Sequence, residues 1–376
     1  MRSASFAIRL SCIALPAVAA ITAPARAAVT YRDLYTLGKP AGFSSANPIG
    51  IHVASGGQVV GFGETPAING ASHALLWDNS PTPIDLNPAS GFESSVAYSV
   101  RGGQVVGAGG GGTSVGGAHA LLWNGTNAAI DLHPASGFDT SYAYGLDGLQ
   151  QVGEGSVPGV GFTHAMLWNG TKAVIDLHPA SGFVGSVAYG VAAGKQAGSG
   201  FTELGHEHAL LWNSTNAATD LHPASGFTDT TAYGIGDGQE VGYGVVPNGD
   251  NHALLWNGAS ATAIDLNPAG FSFSVATDAG GGHQVGVGTF NATSNGHALY
   301  WSGSAASVID LNAVLPSSFT NSSADSISGN TVYGIAYDTG GNAHAIAWNV
   351  PEPTGLGAIA LAGGLLARQR RKKLRF

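Results

Sequence analysis

Between residues 31 and 349 the chain is written in short apolar or alternating runs of about four to six residues, bounded by Gly, Pro, Asn or Ser. No segment there sustains a 3.6-residue apolar period, so the pattern predicts strands and tight turns with no core helix. Four kinds of run follow one another in fixed order. The first is a small-residue run, such as Ala143-Tyr144-Gly145-Leu146 or Ala232-Tyr233-Gly234-Ile235. The second is Gln-x-Val-Gly or a close variant, as at Gln58–Gly61, Gln150–Gly153 and Gln239–Gly242. The third is His-Ala-x-x-Trp, and the fourth is Asp-Leu, which usually continues as Asn/His-Pro-Ala-Ser-Gly-Phe.

The third run occurs seven times, beginning at His73, His119, His164, His208, His252, His297 and His344, with spacings of 46, 45, 44, 44, 45 and 47 residues. All seven tryptophans lie in these strings. Asp-Leu likewise recurs at Asp33, Asp85, Asp131, Asp176, Asp220, Asp265 and Asp310. Four strands in about 45 residues is the size of a propeller blade. The mature chain opens with an Asp-Leu run (Arg32-Asp33-Leu34) and closes with His344–Trp348, so the last unit lacks a fourth strand that the first residues can supply. A permuted boundary of this kind closes a ring and leaves no terminal edge. The expected fold is an all-β, seven-bladed β-propeller with four-stranded blades, and the alternative is an open β-repeat array. The small-residue strand suits the crowded innermost position, and the wide Trp suits the diverging space between blades.

Charge changes the picture once the termini are set apart. The 376 residues hold 14 Lys+Arg and 23 Asp+Glu, with 58 Gly and one Cys. Residues 1–27 read as a secretory signal: Arg2 and Arg9, an apolar run from Leu10 to Ile21, then Ala25-Arg26-Ala27, with cleavage expected after Ala27. The single Cys12 lies inside it, so the mature chain carries no thiol for a disulfide, a metal or nucleophilic catalysis. Three basic residues sit in that signal and six in the C-terminal tail. Five remain between Ala28 and Val350 (Arg32, Lys39, Arg101, Lys172, Lys195), against 22 acidic residues, a net charge of 5 − 22 = −17. Nucleic-acid binding needs Lys and Arg to neutralise phosphates, so no nucleic-acid partner is expected.

The C-terminal segment, residues 351–376, has three parts in order. Pro351-Glu352-Pro353 is followed by an apolar stretch from Gly355 to Ala367 and a basic end from Arg368 to Phe376. This arrangement resembles the PEP-CTERM sorting signal of Gram-negative bacteria. The resemblance implies transient membrane association, recognition by an exosortase-type membrane protease, and transfer to the cell surface or the exopolysaccharide matrix. The units between residues 31 and 349 resemble the HAF family of extracellular repeats through His-Ala, the Trp and the downstream Asp-Leu, with Leu, Met or Ile in place of the family's Phe. That second resemblance implies an extracellular setting and brings no activity with it.

A ring of seven His and seven Asp invites a metal or acid–base reading, but a residue repeated in every blade most simply does the same structural work in every blade. Catalytic residues and a bound cofactor are therefore not expected among them, and function should lie where the units depart from the pattern. His206 and His208 form the one His-x-His, half of a metal site if both fall on one strand face. Gly109-Gly110-Gly111-Gly112 lacks the Gly-Lys-Ser/Thr of a phosphate loop and reads as an insertion. Asp147-Gly148, Asp237-Gly238 and Asn248-Gly249-Asp250-Asn251 could hold calcium loosely, without the EF-hand spacing.

Together these features describe an exported, non-enzymatic surface or matrix protein, residues 28–350 forming the repeat domain, with loops that contact polysaccharide or other surface proteins. The alternative is an extracellular lyase or glycosidase at the channel mouth. Its two carboxylates would come from the non-repeat residues Glu64, Glu93, Glu154, Glu203, Glu207 and Glu240.

Overall fold

In the computed structural model of the chain, residues 28–48, 56–66, 71–111, 117–258, 260–290 and 295–351 are described. The expected secretory signal with Ala27, the C-terminal segment from Glu352 and Pro353 onward, and Gly112 lie outside them; Pro351 is the last described residue. No helix among the described residues is long and apolar enough to cross a membrane.

Seven four-stranded antiparallel sheets surround a common axis, a seven-bladed β-propeller. Blade 3 represents the first six: Thr140–Asp147 innermost, then Gln150–Ser156, Thr163–Trp168 and the short outer Val174–Asp176. These are the four runs of the repeat in their sequence order. Blade 1 begins at Asn47–Pro48 and ends at Ile84–Asp85. Blades 2, 4, 5 and 6 have the innermost strands Ser94–Arg101, Gly185–Ala192, Asp229–Gly236 and Phe271–Gly280.

Blade 7 is closed from the other end of the chain. Its strands Phe319–Ser328, Thr331–Asp338 and Ala343–Asn349 are completed by Thr30–Thr36, with Thr30 opposite Asn349 and Tyr31 opposite Trp348. This pairing occupies the outer edge of Ala343–Asn349, which would otherwise offer unpaired backbone groups to another chain. Residues Val29–Val350 form one unit of contacts and contain every strand found among the described residues.

Each blade interface has its own core with one tryptophan in it. Trp123 of blade 2 packs with Val60, Leu76 and Leu86 of blade 1 and with Ala97, Val100, Val105 and Leu121 of its own blade. The seventh interface closes in the same way, Trp77 of blade 1 packing with Ile335 and Ala345 of blade 7. All seven indoles are at most 1 % exposed, and burying each contributes roughly 2–3 kcal/mol. The repeated tryptophan is thus the wedge that sets one blade against the one before it.

One irregularity recurs and shapes the channel. The innermost strands skip a residue in their pairing at Tyr98, Tyr144, Tyr189, Tyr233, Thr277 and Asp325, a β-bulge in six blades. The bulge presses a carbonyl against the second strand, where only glycine fits. A Cβ on Gly153 would lie 1.9 Å from the carbonyl oxygen of Tyr142. The glycine of the Gln-x-Val-Gly run is therefore a packing requirement of the bulge.

Candidate functional site: the channel wall and its turn-end cavity

The repeated histidines and aspartates lie at one end of the propeller, at the start of the third strand and the end of the fourth. His73 Nδ1 meets Asp85 Oδ2 at 2.9 Å, and the same pair forms in every blade, at distances from 2.8 to 3.2 Å. In blade 7 it joins His344 to Asp33, tying the two ends of the ring together. The other aspartate oxygen usually accepts the N–H two residues on, as Asp131 Oδ1 does from His133 at 2.9 Å. Both carboxylate oxygens are thereby committed to the backbone and to the neighbouring strand.

A second tie runs between blades. Ser141 Oγ of blade 3 accepts the Ala120 N–H of blade 2 at 2.9 Å, and its hydroxyl is 2.9 Å from His133 Nδ1. Ser186 with His178 and Thr230 with His222 repeat this arrangement. At three other interfaces Asn87, Asn267 and Asn312 take the place of the histidine, bonding Ser95, Ser274 and Ser322. The three extra histidines stack on repeat histidines, His119 on His133, His164 on His178 and His208 on His222, each at 4.0 Å.

Asymmetry enters on the channel wall. Four consecutive blades place a tyrosine on the bulge, and adjacent rings touch: Tyr98–Tyr144 at 5.3 Å, Tyr144–Tyr189 at 5.8 Å and Tyr189–Tyr233 at 5.2 Å between centroids. Tyr243, on the second strand of blade 5, extends the arc at 5.6 Å from Tyr233. Tyr144 donates its hydroxyl to Glu154 Oε1 at 2.8 Å. Burial pushes the Tyr189 phenol well above its ordinary value, and the nearby charges of Glu207 and Glu154 push it the same way. Burial also raises the Glu207 carboxyl, against the opposing influence of the Ser199 and Thr231 hydroxyls. The charges of two non-repeat carboxyl groups thus act on one tyrosine of the arc.

The bulge position of blade 7 holds Asp325 instead, 1 % exposed. Ser323 donates to its Oδ1 at 3.0 Å, while Oδ2 is buried without a partner. Burial pushes this carboxyl up to about 8.

At the end where first and second strands turn, the channel opens into a cavity of about 370 Å³. Its wall includes Arg101, Asp147, Tyr189, Tyr233, Asp237 and Asp278. Arg101 Nε lies 3.5 Å from Asp147 Oδ1. Asp237 accepts the Gly281 N–H at 2.6 Å, and Asp278 accepts those of Ala279 and Ile327 at 2.9 and 3.0 Å. Burial pushes Asp278 up to about 6, opposed chiefly by those two amide hydrogen bonds.

The sequence-derived candidates separate in space. His206 precedes the strand Glu207–Trp212 and so does not share a strand face with His208. It lies 3.5 Å from Asp229, whereas His208 pairs with Asp220. Among the described residues no three His, Cys, Asp or Glu side chains gather as metal ligands. Of the calcium candidates, Asp147 and Asp237 line the cavity, and Asn248 and Asp250 bond one another at 2.8 Å. Glu64, Glu93 and Glu203 are exposed, and Glu240 is fully buried elsewhere. Glu154 and Glu207 both act electrostatically on Tyr189. The tyrosine arc itself was visible in sequence only as the middle letter of the small-residue run. Its departure to Thr277 and Asp325 marks the side of the channel where the aromatic wall stops.

No family model and no curated protein matches the chain. Among solved structures it is similar to the β-propeller domain of the Trilobed protease from Pyrococcus furiosus, described as having an open velcro topology. That likeness has 9% identity, a TM-score of 0.52, and covers 83% of this chain and 97% of that one. It is also similar to the BP39L lectin from Burkholderia pseudomallei, with 15% identity, a TM-score of 0.45, and 86% and 98% coverage. A likeness to the Trypanosoma rangeli sialidase has 10% identity, a TM-score of 0.35, and 91% and 62% coverage. The similarity to the first establishes the fold alone, a β-propeller.

Proposed function

We propose that this chain is an exported, non-enzymatic cell-surface or exopolysaccharide-matrix propeller that binds glycan through its central channel. The observation that carries the reading is the tyrosine arc on four consecutive blades, because it is where an otherwise uniform repeat becomes one-sided. Aromatic faces beside carboxyl and hydroxyl groups suit a polyhydroxylated ligand, whose C–H faces stack while its hydroxyls hydrogen-bond. The repeat histidines and aspartates are occupied in holding strands and blades together, which leaves the channel as the variable surface. Export and surface retention rest on the two terminal segments and on the strongly acidic, thiol-free mature chain.

A glycan array with the purified Val29–Val350 unit tests the binding role, and failure to retain any glycan would refute it. Deleting residues 351–376 is expected to leave the protein secreted but no longer processed or held at the envelope. Normal retention without that tail would overturn the sorting assignment.

Glu154 and Glu207 beside Tyr189 favour a second reading, a glycan-cleaving enzyme whose acid and base are these two groups. A hydrolysis screen separates the two readings. Cleavage abolished by Glu154→Gln or Glu207→Gln supports the enzyme, whereas cleavage that survives both changes removes it.

A further inference from the structure

We propose that Asn124 is a site of spontaneous succinimide formation, so that blade 2 acquires an aspartate or isoaspartate in its outer turn as the folded protein ages. The site lies away from the channel and stands independently of the glycan-binding reading.

Among the described residues, Asn-Gly pairs begin at Asn124, Asn169, Asn248, Asn257 and Asn295, all exposed. Exposure therefore does not rank them, and the state of each glycine N–H does. Cyclisation requires that nitrogen to give up its proton and attack the asparagine Cγ. Gly170 donates its N–H to Gln151 Oε1 at 2.8 Å, Gly249 to the Val246 carbonyl at 2.8 Å and Gly296 to Asn321 Oδ1 at 3.1 Å. Each of these bonds must be given up before the nitrogen can attack. The Gly125 N–H has no acceptor among the described residues. One position in the repeat is the cause. Val105 of blade 2 stands opposite Trp123, where blade 3 places Gln151 opposite Trp168, so blade 2 has no amide oxygen to meet its turn.

Local sequence does not supply this difference. Trp123-Asn124-Gly125-Thr126 and Trp168-Asn169-Gly170-Thr171 are the same four residues, and both glycines have left-handed backbone, φ 75° and 71°. A second feature acts in the same direction. Gln104 Nε2 donates to Asn124 Oδ1 at 3.0 Å, which stabilises the negative charge gathering on that oxygen as the nitrogen attacks. Asn257 receives the same donor from Gln239 at 3.1 Å, but its Gly258 N–H is turned toward the Glu240 carboxyl without completing a hydrogen bond.

The bond formed joins Gly125 N to Asn124 Cγ. The bond broken is Cγ–Nδ2, and the glycine proton leaves with that nitrogen as ammonia. Water then opens the imide at either carbonyl, giving aspartate or, with the chain rerouted through the side chain, isoaspartate. The aspartate product already has a place in this fold. The equivalent residue of blade 1 is Asp78, which accepts from Gln58 at 2.9 Å.

Ageing the purified protein in mildly alkaline buffer, with mass mapping of its asparagine peptides, tests this. Asn124 is expected to convert about fivefold or more faster than Asn169, the factor that one hydrogen bond supplies. Asn248 and Asn295 should be as slow as Asn169, with Asn257 between. In the urea-unfolded chain Asn124 and Asn169 should convert at equal rates, because their neighbours match. Gln151→Val gives blade 3 the residue that blade 2 carries, and should raise the Asn169 rate toward that of Asn124. Gln104→Leu should slow Asn124 severalfold. Thermal unfolding confirms that both variants fold. Asn169 converting as fast as Asn124 in the folded protein would overturn the assignment. So would a lead for Asn124 that persists in urea, or an Asn169 rate unchanged by Gln151→Val.

Discussion

The hydroxyl of Ser141 in blade 3 is hydrogen-bonded to Nδ1 of His133, in the segment leaving blade 2, at 2.9 Å. The same Oγ accepts the Ala120 N–H, so one hydroxyl ties the imidazole and the backbone of blade 2 to blade 3. In the Asn87–Ser95 tie an asparagine oxygen, which can only accept, stands in the place of the imidazole, and the serine hydroxyl donates. Three of these interface ties depend on an imidazole, and three use an asparagine that does not titrate.

Acid should loosen the histidine ties. Burial is the first cause lowering the pKa of His133, His178 and His222, and the stacked His119, His164 and His208 lower each further. Asp131, Asp176 and Asp220 oppose this, as does Asp229 at His222, while Lys172 at His133 and His206 at His222 reinforce it. A base with a depressed folded pKa contributes stability that is present above its ordinary value, about 6.5, and lost as pH falls through the folded value. Melting temperature should fall between about pH 7 and pH 5. The triple variant His133→Asn, His178→Asn, His222→Asn should show a flatter profile in a thermal scan across that range. An unchanged slope would count against the role of these imidazoles.

Gly153→Ala should be strongly destabilising, by about 2–4 kcal/mol, because the new methyl meets the Tyr142 carbonyl in backbone with little room to move. Urea unfolding measures it. Gly137→Ala offers a useful contrast: its Cβ meets nothing within 4 Å, so only the left-handed backbone at φ 90° is penalised.

Glu240 stands where blades 3, 4 and 6 have glutamine. Gln151, Gln196 and Gln284 each donate to a turn carbonyl and accept the N–H of Gly170, Ser214 or Gly303. Both Glu240 oxygens are buried without a partner, and burial raises its pKa. An acid with a raised folded pKa contributes stability below its ordinary value of about 4.3, and that stability is lost as pH rises through the folded value. Glu240→Gln should therefore stabilise by about 1 kcal/mol at neutral pH and by little near pH 4. Melting temperatures at the two pH values compare directly.

Removing residues 28–36 should expose the edge of Ala343–Asn349 and break the His344–Asp33 pair. The expected outcome is a lower melting temperature and concentration-dependent association, measured by light scattering. Asp33→Asn keeps the strand and should remain monomeric.

Much of this fold was legible because the repeat states it seven times. The His-Ala-x-x-Trp spacing counted the blades, and the stray Asp-Leu run at Asp33 announced how the ring closes. A strand's alternation and a turn's glycine are local properties, so they survive in the one-dimensional string. The candidate site was much less legible. Nothing in the sequence marks Tyr144 as a bulge residue, since the skipped pairing appears only when a second strand is laid beside it. Glu154 and Glu207 come from blades 3 and 4, and their shared electrostatic influence on Tyr189 depends on how far one blade is rotated from the next. His206 and His208 looked like partners through their spacing, yet a strand that begins at Glu207 assigns them to different aspartates. The sequence by itself determined strand order, blade number and ring closure, because these are set by local pattern and its repetition. Only the tertiary structure decided which departures from the repeat converge on the channel, because that depends on packing between blades distant in sequence.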